Sequence, residues 1–288
     1  MNITGTTKLI CLLGHPVAHS LSPMMHNMAC DILGLDYVYV CHDVAEDGIR
    51  DAIGALNALG YRGCNITMPG KIEAFKMCQK LTRVAKLSGS VNTVIFRDGK
   101  ILGHSTDGIG YLNSLRKAGV DPKGKRLAIL GSGGAARAIA AQAALDGARE
   151  IKILRRRTNE DAFREAVDFS SLLVRETSVM CGVFDMGDMA ALKFQLSESD
   201  ILVNATSVGM APSVDGCLIP DPSYLPEEMV VSDIIYNPLE TRLMRMAKKK
   251  RLKVTGGLSM LLYQGAASFE LFTGKKMPVD AVGEAIGV

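Results

Sequence analysis

A glycine-rich loop between a strand and a helix is the feature that most restricts how this chain can fold. Residues 131–134 read Gly-Ser-Gly-Gly and lie between the strand pattern of Arg126–Leu130 and the alanine-rich helix pattern of Ala135–Leu145. The first glycine allows a tight turn, Gly133 lets the backbone approach a pyrophosphate, and the small Ala136 lets helix and strand pack closely. The N–H groups at the start of the helix then face the phosphates. The loop therefore predicts a doubly wound domain that binds a dinucleotide.

Strand and helix patterns alternate on both sides of this loop. Strand patterns cover Lys8–Leu13, Tyr37–Val40, Gly63–Thr67, Glu150–Leu154, Ile201–Asn204 and Met229–Ile234, and helix patterns cover Pro23–Leu33, Gly48–Leu59, Ile109–Lys117 and Met260–Phe272. The alternation predicts parallel or mostly parallel sheets covered by helices. We therefore expect an α/β fold with one domain over residues 1–107, completed by residues 257–288. A Rossmann-like domain should cover residues 108–256, and the helix at 260–272 should return to the first domain.

The strand that follows the glycine loop ends in an arginine run, Arg155-Arg156-Arg157, before Thr158. Domains specific for NAD usually place an acidic residue here, where it binds the ribose hydroxyls. Guanidinium groups instead suit a 2′-phosphate, because they can form paired, charge-assisted hydrogen bonds. The run therefore favours NADP as the cofactor, with NAD possible, and a solvated arginine face is the alternative interpretation.

Composition indicates the class of protein and leaves its chemistry open. The chain has 288 residues, of which 48% are apolar and 22% charged, and a net charge of +3. These values are typical of a globular protein of one large or two ordinary domains, and they give no reason to expect nucleic acid or membrane as a partner. Seven cysteines without a CxxC pair indicate reduced thiols. With no export signal or bilayer-spanning run in view, we expect a cytoplasmic monomer or homodimer without a metal.

Polar residues stand at several turns outside the glycine loop. Ser20 and Ser22 lie just before Pro23, where two hydroxyls and a helix start could bind a carboxylate, or where Ser22 alone could cap the helix. Lys71 follows a strand end and a proline turn, a position that can direct it into a cleft. Gln264 lies inside the last apolar helix pattern, where burial is costly unless its amide finds a partner.

Several motifs together carry a family resemblance. In chain order they are SLSPMMHN, NITMPGK, VNT, STDG, GSGGAARA, NATSVGM, the Tyr236-Asn237-Pro238 turn and MLLYQGAASFELFTG. They cover nearly the whole chain, and the ordered set resembles the shikimate dehydrogenase family, including its quinate/shikimate dehydrogenase relatives. The resemblance implies a substrate-binding catalytic domain at 1–107 and an NADP-binding domain at 108–256. It also implies an oxidoreductase that interconverts 3-dehydroshikimate and shikimate, the reaction of aromatic amino acid biosynthesis that this family supplies.

The resemblance further implies roles for individual residues. Lys71 and Asp107 would form the acid–base pair. The substrate would be bound by Ser20, Ser22, Thr67, Asn92, Tyr236 and Gln264. The cofactor would be bound by Gly131, Ser132, Gly133, Gly134, Ala135, Arg155, Arg156, Arg157, Thr206, Met210 and Gly256. The expected partner is a small molecule: shikimate, 3-dehydroshikimate or quinate.

Two departures from the family pattern and two alternatives accompany this interpretation. Gly70 stands directly before Lys71, where many members carry a bulkier residue, and this predicts a looser loop. Thr158 replaces the acidic residue of the NAD-using quinate/shikimate branch, which again favours NADP.

The alternatives are a dehydrogenase that acts on quinate with NAD, and a non-catalytic sensor of ligand and nucleotide on the same fold. An intact Lys71 and Asp107 argue against the sensor.

Overall fold

The computed structural model describes residues 3–288, which form two units, each built on one sheet. The first unit is the chain up to Gly110 together with Leu262–Val288, and the second is Tyr111–Leu261. The chain changes unit inside a helix both times, within Asp107–Lys117 and within Gly257–Thr273. The boundaries expected after residues 107 and 256 therefore lie three and five residues before those of the structure, which follow residues 110 and 261.

The first unit contains a mixed sheet of six strands. They are β1 (Lys8–Gly14), β2 (Tyr37–Asp43), β3 (Gly63–Ile66), β4 (Lys80–Leu81), β5 (Thr93–Arg97) and β6 (Lys100–His104), in the order β2-β1-β3-β5-β6-β4. The helices are α1 (Ser22–Leu33), α2 (Ile49–Ala58), α3 (Lys71–Met77), α4 (Arg83–Ser88), the start of α5 (Asp107–Lys117), most of α10 (Gly257–Thr273) and α11 (Val279–Ile286). Strand β5 is antiparallel to both of its neighbours and the other pairings are parallel, as a mostly parallel sheet requires.

The second unit contains a six-stranded sheet in which every pairing is parallel. Its strands are β7 (Arg126–Leu130), β8 (Glu150–Arg155), β9 (Met180–Asp185), β10 (Ile201–Asn204), β11 (Val230–Asp233) and β12 (Val254–Thr255), and its own helices are α6 (Gly134–Leu145), α7 (Glu160–Thr177), α8 (Met189–Ser197) and α9 (Arg242–Lys249). The order β9-β8-β7-β10-β11-β12 is the 3-2-1-4-5-6 arrangement of dinucleotide-binding domains. The expected α/β fold with a Rossmann-like domain is confirmed.

Burial explains which elements the sequence patterns reveal. Leu130, Leu154, Leu202 and Val231, from four strands of the second unit, are fully buried in one apolar core. Strands of this kind read as continuous apolar runs, and β7 and β10 have the predicted bounds. Strand β9 lies at a sheet edge with exposed or half-buried residues, its apolar run is interrupted by Gly182, and the sequence patterns did not predict it. None of the helices within residues 3–288 has the length and apolar character that a bilayer span requires.

His26 is a buried histidine on α1 that lacks a partner for one ring nitrogen. Its ring stacks on Tyr39 with centroids 4.2 Å apart, and the residue is 1% exposed. Nδ1 has no hydrogen-bond partner among the described residues. Burial disfavours the charged imidazolium and lowers the pKa of His26 to about 3.

The His26 pKa predicts a specific pH dependence of stability. The unfolded chain binds a proton at this residue below pH ~6.5, while the folded protein does not until about pH 3, so stability is lost as pH falls between them. Urea unfolding of the wild type and of His26→Phe at pH 6.5 and 4.5 measures the effect. We expect the wild type to lose about 2 kcal/mol more than the variant over this interval. An equal loss in both proteins would contradict this interpretation of His26.

Candidate functional site

The topology of the first unit brings polar segments to one edge of its sheet. Strands β1 and β3 are parallel, so both end at this edge. Strand β5 runs the other way and begins there, with Asn65 paired to Thr93, and β6 ends there, with Thr93 paired to His104. The segments that follow or precede these strand ends contain Ser22, Thr67, Asn92 and Asp107.

Lys71 and Asp107 form a close ion pair at this edge. Lys71 is the first residue of α3 and Asp107 the first residue of α5. Lys71 Nζ lies 2.5 Å from Asp107 Oδ2, and the side chains are 19% and 8% exposed. A Cβ on the preceding Gly70 would lie only 2.7 Å from Ile49 Cδ1. Ile49 would have to shift to admit a side chain at position 70, so the backbone before Lys71 packs closely, and the looser loop expected from Gly70 stays a prediction.

Asn92 fixes the orientation of the Asp107 carboxylate. Its Nδ2 donates to Asp107 Oδ1 at 2.8 Å and to Thr106 Oγ1 at 2.9 Å, and its Oδ1 accepts from the Thr106 N–H at 2.7 Å. Asn92 Nδ2 also lies 3.4 Å from Gln264 Oε1, so the glutamine amide of α10 finds a polar neighbour. One carboxylate oxygen of Asp107 thus contacts Asn92 and the other contacts Lys71.

The predicted carboxylate-binding serines lie at the start of α1. Ser20 Oγ accepts the Ser22 N–H at 3.2 Å, while Leu21 is the N-cap residue and provides no side-chain cap. The alternative of Ser22 as N-cap is therefore wrong, because Ser22 is already the first helical residue. Thr67 is half-buried in the turn after β3. Its hydroxyl makes no hydrogen bond to another residue within 3–288, so it can serve a ligand.

The glycine loop of the second unit leaves space above a helix start. Gly131 has φ +100°, and a Cβ there would lie 2.8 Å from Thr206 Cγ2. Gly133 is the N-cap of α6 without a side-chain cap, and a Cβ added to it would meet nothing within 4 Å. Because Gly131 follows β7 and Thr206 follows β10, the loop lies where the strand order reverses, the usual place for a dinucleotide. These residues fit the pyrophosphate that the sequence predicts.

The three predicted cofactor arginines differ in what they contact. Arg155 Nη1 donates to Ser132 Oγ of the glycine loop at 2.6 Å, while its Nε is buried and has no hydrogen-bond partner within residues 3–288. Arg157 Nε donates to Glu160 at 2.9 Å, and its guanidinium lies 5.2 Å from the centre of the Phe163 ring. The exposed Arg156 side chain has no hydrogen-bonding or ionic partner in the described part of the chain. Arg156 is therefore the guanidinium most available to an anion from solution.

A buried pair that the sequence patterns did not single out shapes the loop after β10. Asn204 Oδ1 accepts from the Thr206 hydroxyl at 2.7 Å, and its Nδ2 lies 3.1 Å from both carboxylate oxygens of Asp233. Asp233 also accepts from Thr241 Oγ1 at 2.7 Å, and burial raises the pKa of this carboxyl. The pair anchors the loop that leads to Met210, which is 36% exposed. The sequence feature that could have pointed to this pair is a polar residue, Asn204, at the end of an apolar strand.

Tyr236 and Gly256, the remaining predicted site residues, also belong to the second unit. Tyr236 is half-buried, and burial raises the pKa of its phenol. A Cβ on Gly256 would lie 3.2 Å from Met244 Cε. The structure thus groups Ser20, Ser22, Thr67, Lys71, Asn92, Asp107 and Gln264 in the first unit, and the glycine loop, the arginines, Thr206, Met210, Tyr236 and Gly256 in the second.

Comparison with known proteins decides the family. The family model described as the shikimate dehydrogenase substrate binding domain matches residues 12–94, and the shikimate 5′-dehydrogenase C-terminal domain matches residues 257–286. The shikimate dehydrogenase (NADP⁺) of Listeria innocua serovar 6a is 43% identical over 284 residues, which cover 99% of this chain and 97% of the relative. The chain belongs to the shikimate dehydrogenase family. The predicted resemblance is confirmed.

Solved structures of this family agree with the fold. Shikimate 5-dehydrogenase from Listeria monocytogenes, in complex with shikimate and NAD, has a TM-score of 0.93 and 43% identity, with coverage of 99% of this chain and 98% of that one. Shikimate 5-dehydrogenase from Thermus thermophilus, in complex with NADP(H) and shikimate, has a TM-score of 0.83 and 34% identity, with coverage of 97% and 98%. Both similarities extend over the two units of this family member.

Proposed function

We propose that this protein catalyses the reversible, NADP-dependent reduction of 3-dehydroshikimate to shikimate. The observation that carries the proposal is the Lys71–Asp107 pair, held 2.5 Å apart and mostly buried. It lies among polar side chains in a chain that is 43% identical to a shikimate dehydrogenase (NADP⁺) over nearly its whole length. A buried ion pair at a polar edge is a costly arrangement for folding alone, so a chemical use for it is expected.

Lys71 is the proposed proton donor. The reduced nicotinamide supplies a hydride to the carbonyl carbon of the substrate, and the carbonyl oxygen then needs a proton. The Lys71 ammonium stabilises the developing alkoxide, gives it one proton and becomes a neutral amine. Asp107 orients the ammonium through Oδ2, and Asn92 holds the carboxylate from its other side. In shikimate oxidation the neutral amine accepts the proton from the alcohol.

The remaining polar side chains of the first unit are the proposed substrate ligands. Ser20 and Ser22 lie at the start of α1, where a helix start favours an anion, and bind the carboxylate. Thr67, Asn92 and Gln264 bind ring hydroxyls, since they present a hydroxyl and two amides beside the ion pair. Tyr236, from the second unit, is the further proposed contact of the substrate.

The second unit provides the proposed cofactor site. The N–H groups at the start of α6, with Gly131–Ala135, would hold the pyrophosphate. Arg156, with Arg155 and Arg157 beside it, would bind the 2′-phosphate that distinguishes NADP from NAD. Thr206, Met210 and Gly256 are the proposed contacts of the nicotinamide half. The seven cysteines are all free thiols, which fits a reducing compartment such as the cytoplasm.

The alternatives have less support. Quinate is not favoured, because the relatives compared above are shikimate dehydrogenases and the solved complexes contain shikimate. A non-catalytic sensor would gain nothing from a buried lysine ammonium directed at its ligand. Detectable turnover would eliminate the sensor.

Initial rates measured through the nicotinamide absorbance test the proposal. Purified protein is given shikimate or quinate, each with NADP⁺ or NAD⁺. We expect kcat/KM to be highest for shikimate with NADP⁺, because the site offers hydroxyl and amide ligands for the ring and a free guanidinium for the 2′-phosphate. Turnover of quinate alone would overturn the substrate assignment, and turnover with NAD⁺ alone would overturn the role given to the arginines.

Substitution of Arg156 tests cofactor recognition. Because a charge-assisted hydrogen bond is lost, we expect Arg156→Gln to raise KM for NADP⁺ by about 10- to 100-fold. KM for NAD⁺, which lacks the phosphate, should stay within about twofold. Arg164→Gln is the matched control, since Arg164 is 74% exposed on the following helix and its one ion-pair partner in the described chain is Asp161 at 4.0 Å. Equal effects of Arg156→Gln on both cofactors would contradict a phosphate-binding role.

A further inference from the structure

A buried chain of hydrogen bonds leads from the strand β2 to the ion pair. Tyr39 Oη lies 2.9 Å from Asn65 Oδ1, and Asn65 Nδ2 lies 3.0 Å from Thr93 Oγ1. Thr93 Oγ1 in turn lies 3.2 Å from Asn92 Oδ1, and Asn92 Nδ2 reaches Asp107. Tyr39, Asn65, Thr93 and Asn92 are each at most 6% exposed. Bulk solvent therefore does not reach these links.

The Asn65 amide and the Tyr39 hydroxyl can each be oriented in only one way. Asn65 Nδ2 also lies 3.2 Å from the Asn92 carbonyl oxygen, which can only accept, so the Asn65 amide nitrogen must face Asn92. Asn65 Oδ1 then faces Tyr39, and the Tyr39 hydroxyl must donate its single proton to it. The Tyr39 oxygen is left as an acceptor.

The orientation of Asn92 is fixed in the same way. Its Oδ1 accepts the Thr106 N–H at 2.7 Å, which forces Nδ2 toward Asp107. If the Asn92 side-chain amide were flipped, its Oδ1 would face the Asp107 carboxylate and its NH₂ group would face the Thr106 N–H. The amides of Asn65 and Asn92 therefore donate toward the carboxylate, and the Thr93 hydroxyl between them can donate to Asn92 Oδ1 at 3.2 Å or to Thr106 Oγ1 at 3.3 Å.

We propose that Tyr39 is a positioning residue for the reaction, acting through a hydrogen-bond relay made of Tyr39, Asn65, Thr93 and Asn92. The inference rests on the proposed function, because the relay ends at Asn92, assigned to a ring hydroxyl of the substrate, and at the Lys71–Asp107 pair. The relay holds Asn92 and the Asp107 carboxylate in place. Tyr39 is 1% exposed, and its hydroxyl matters because it determines where the Asn65 amide, and with it Thr93 and Asn92, can lie.

Tyr39→Phe tests the relay, with Tyr37→Phe as the matched control. Both tyrosines lie on β2 with nearly buried side chains, but the Tyr37 hydroxyl donates to the Phe272 carbonyl oxygen at 3.4 Å, outside the relay. We expect Tyr39→Phe to raise KM for shikimate by about five- to tenfold, the effect of one lost hydrogen bond. Its KM for NADP⁺ should not change, and Tyr37→Phe should keep both values. A purely structural role would lower the melting temperature and the active fraction without this selective change in KM.

Thr93→Val provides a second test that does not depend on the folding of Tyr39→Phe. It removes the hydroxyl two links further along with little change in volume, and the same selective rise in KM for shikimate is expected. If Tyr39→Phe and Thr93→Val match Tyr37→Phe while the wild type turns shikimate over, the relay is overturned and the proposed function stands. If the wild type itself does not turn shikimate over, the proposed function is overturned, and the role of Tyr39 with it.

Discussion

Lys71 and Asp107 place opposite charges 2.5 Å apart in surroundings that admit little water. Such a pair costs desolvation energy that its own attraction need not repay, and removing one partner leaves a charge stranded. Further hydrogen bonds to the ions are therefore needed for the arrangement to persist. Asn92 supplies one to the carboxylate, and the turn before α5 holds Asn92 in place through the Thr106 N–H. The polar edge of the first unit is in this sense organised around the pair.

Both units place polar segments at the ends of neighbouring strands, but their sheets differ in strand direction. In each sheet, loops at the ends of neighbouring strands carry the proposed functional side chains, because the backbone there is released from strand pairing. The first unit adds antiparallel strands, so β5 can begin and β6 can end at the edge where β1 and β3 finish. The second unit stays fully parallel and offers a helix start with no side-chain cap at Gly133. One edge is thereby suited to a carboxylated polyol and the other to a dinucleotide.

The sequence predicted the parts of this picture that depend on local patterns. Buried parallel strands such as β7 and β10 give continuous apolar runs. The glycine loop indicates the strand that precedes it and the helix that follows it. The edge strand β9 was not predicted, and Gly182 interrupts its apolar residues. The packing of Gly70 against Ile49 and the relay from Tyr39 to Asn92 join residues far apart in the chain. No local pattern encodes such contacts.

The most direct test of the central claim, that Lys71 supplies the proton for the reduction, is a comparison of Lys71→Met with the wild type. The reduction of 3-dehydroshikimate by NADPH gives kcat, and calorimetric titration gives the Kd for shikimate. Methionine keeps most of the side-chain volume but has no proton to give. We predict that kcat falls by about 10²- to 10⁴-fold, the usual contribution of a positioned acid, while Kd changes by less than about fivefold. An unchanged kcat with a weakened Kd would show that Lys71 only binds the substrate, and would contradict the claim.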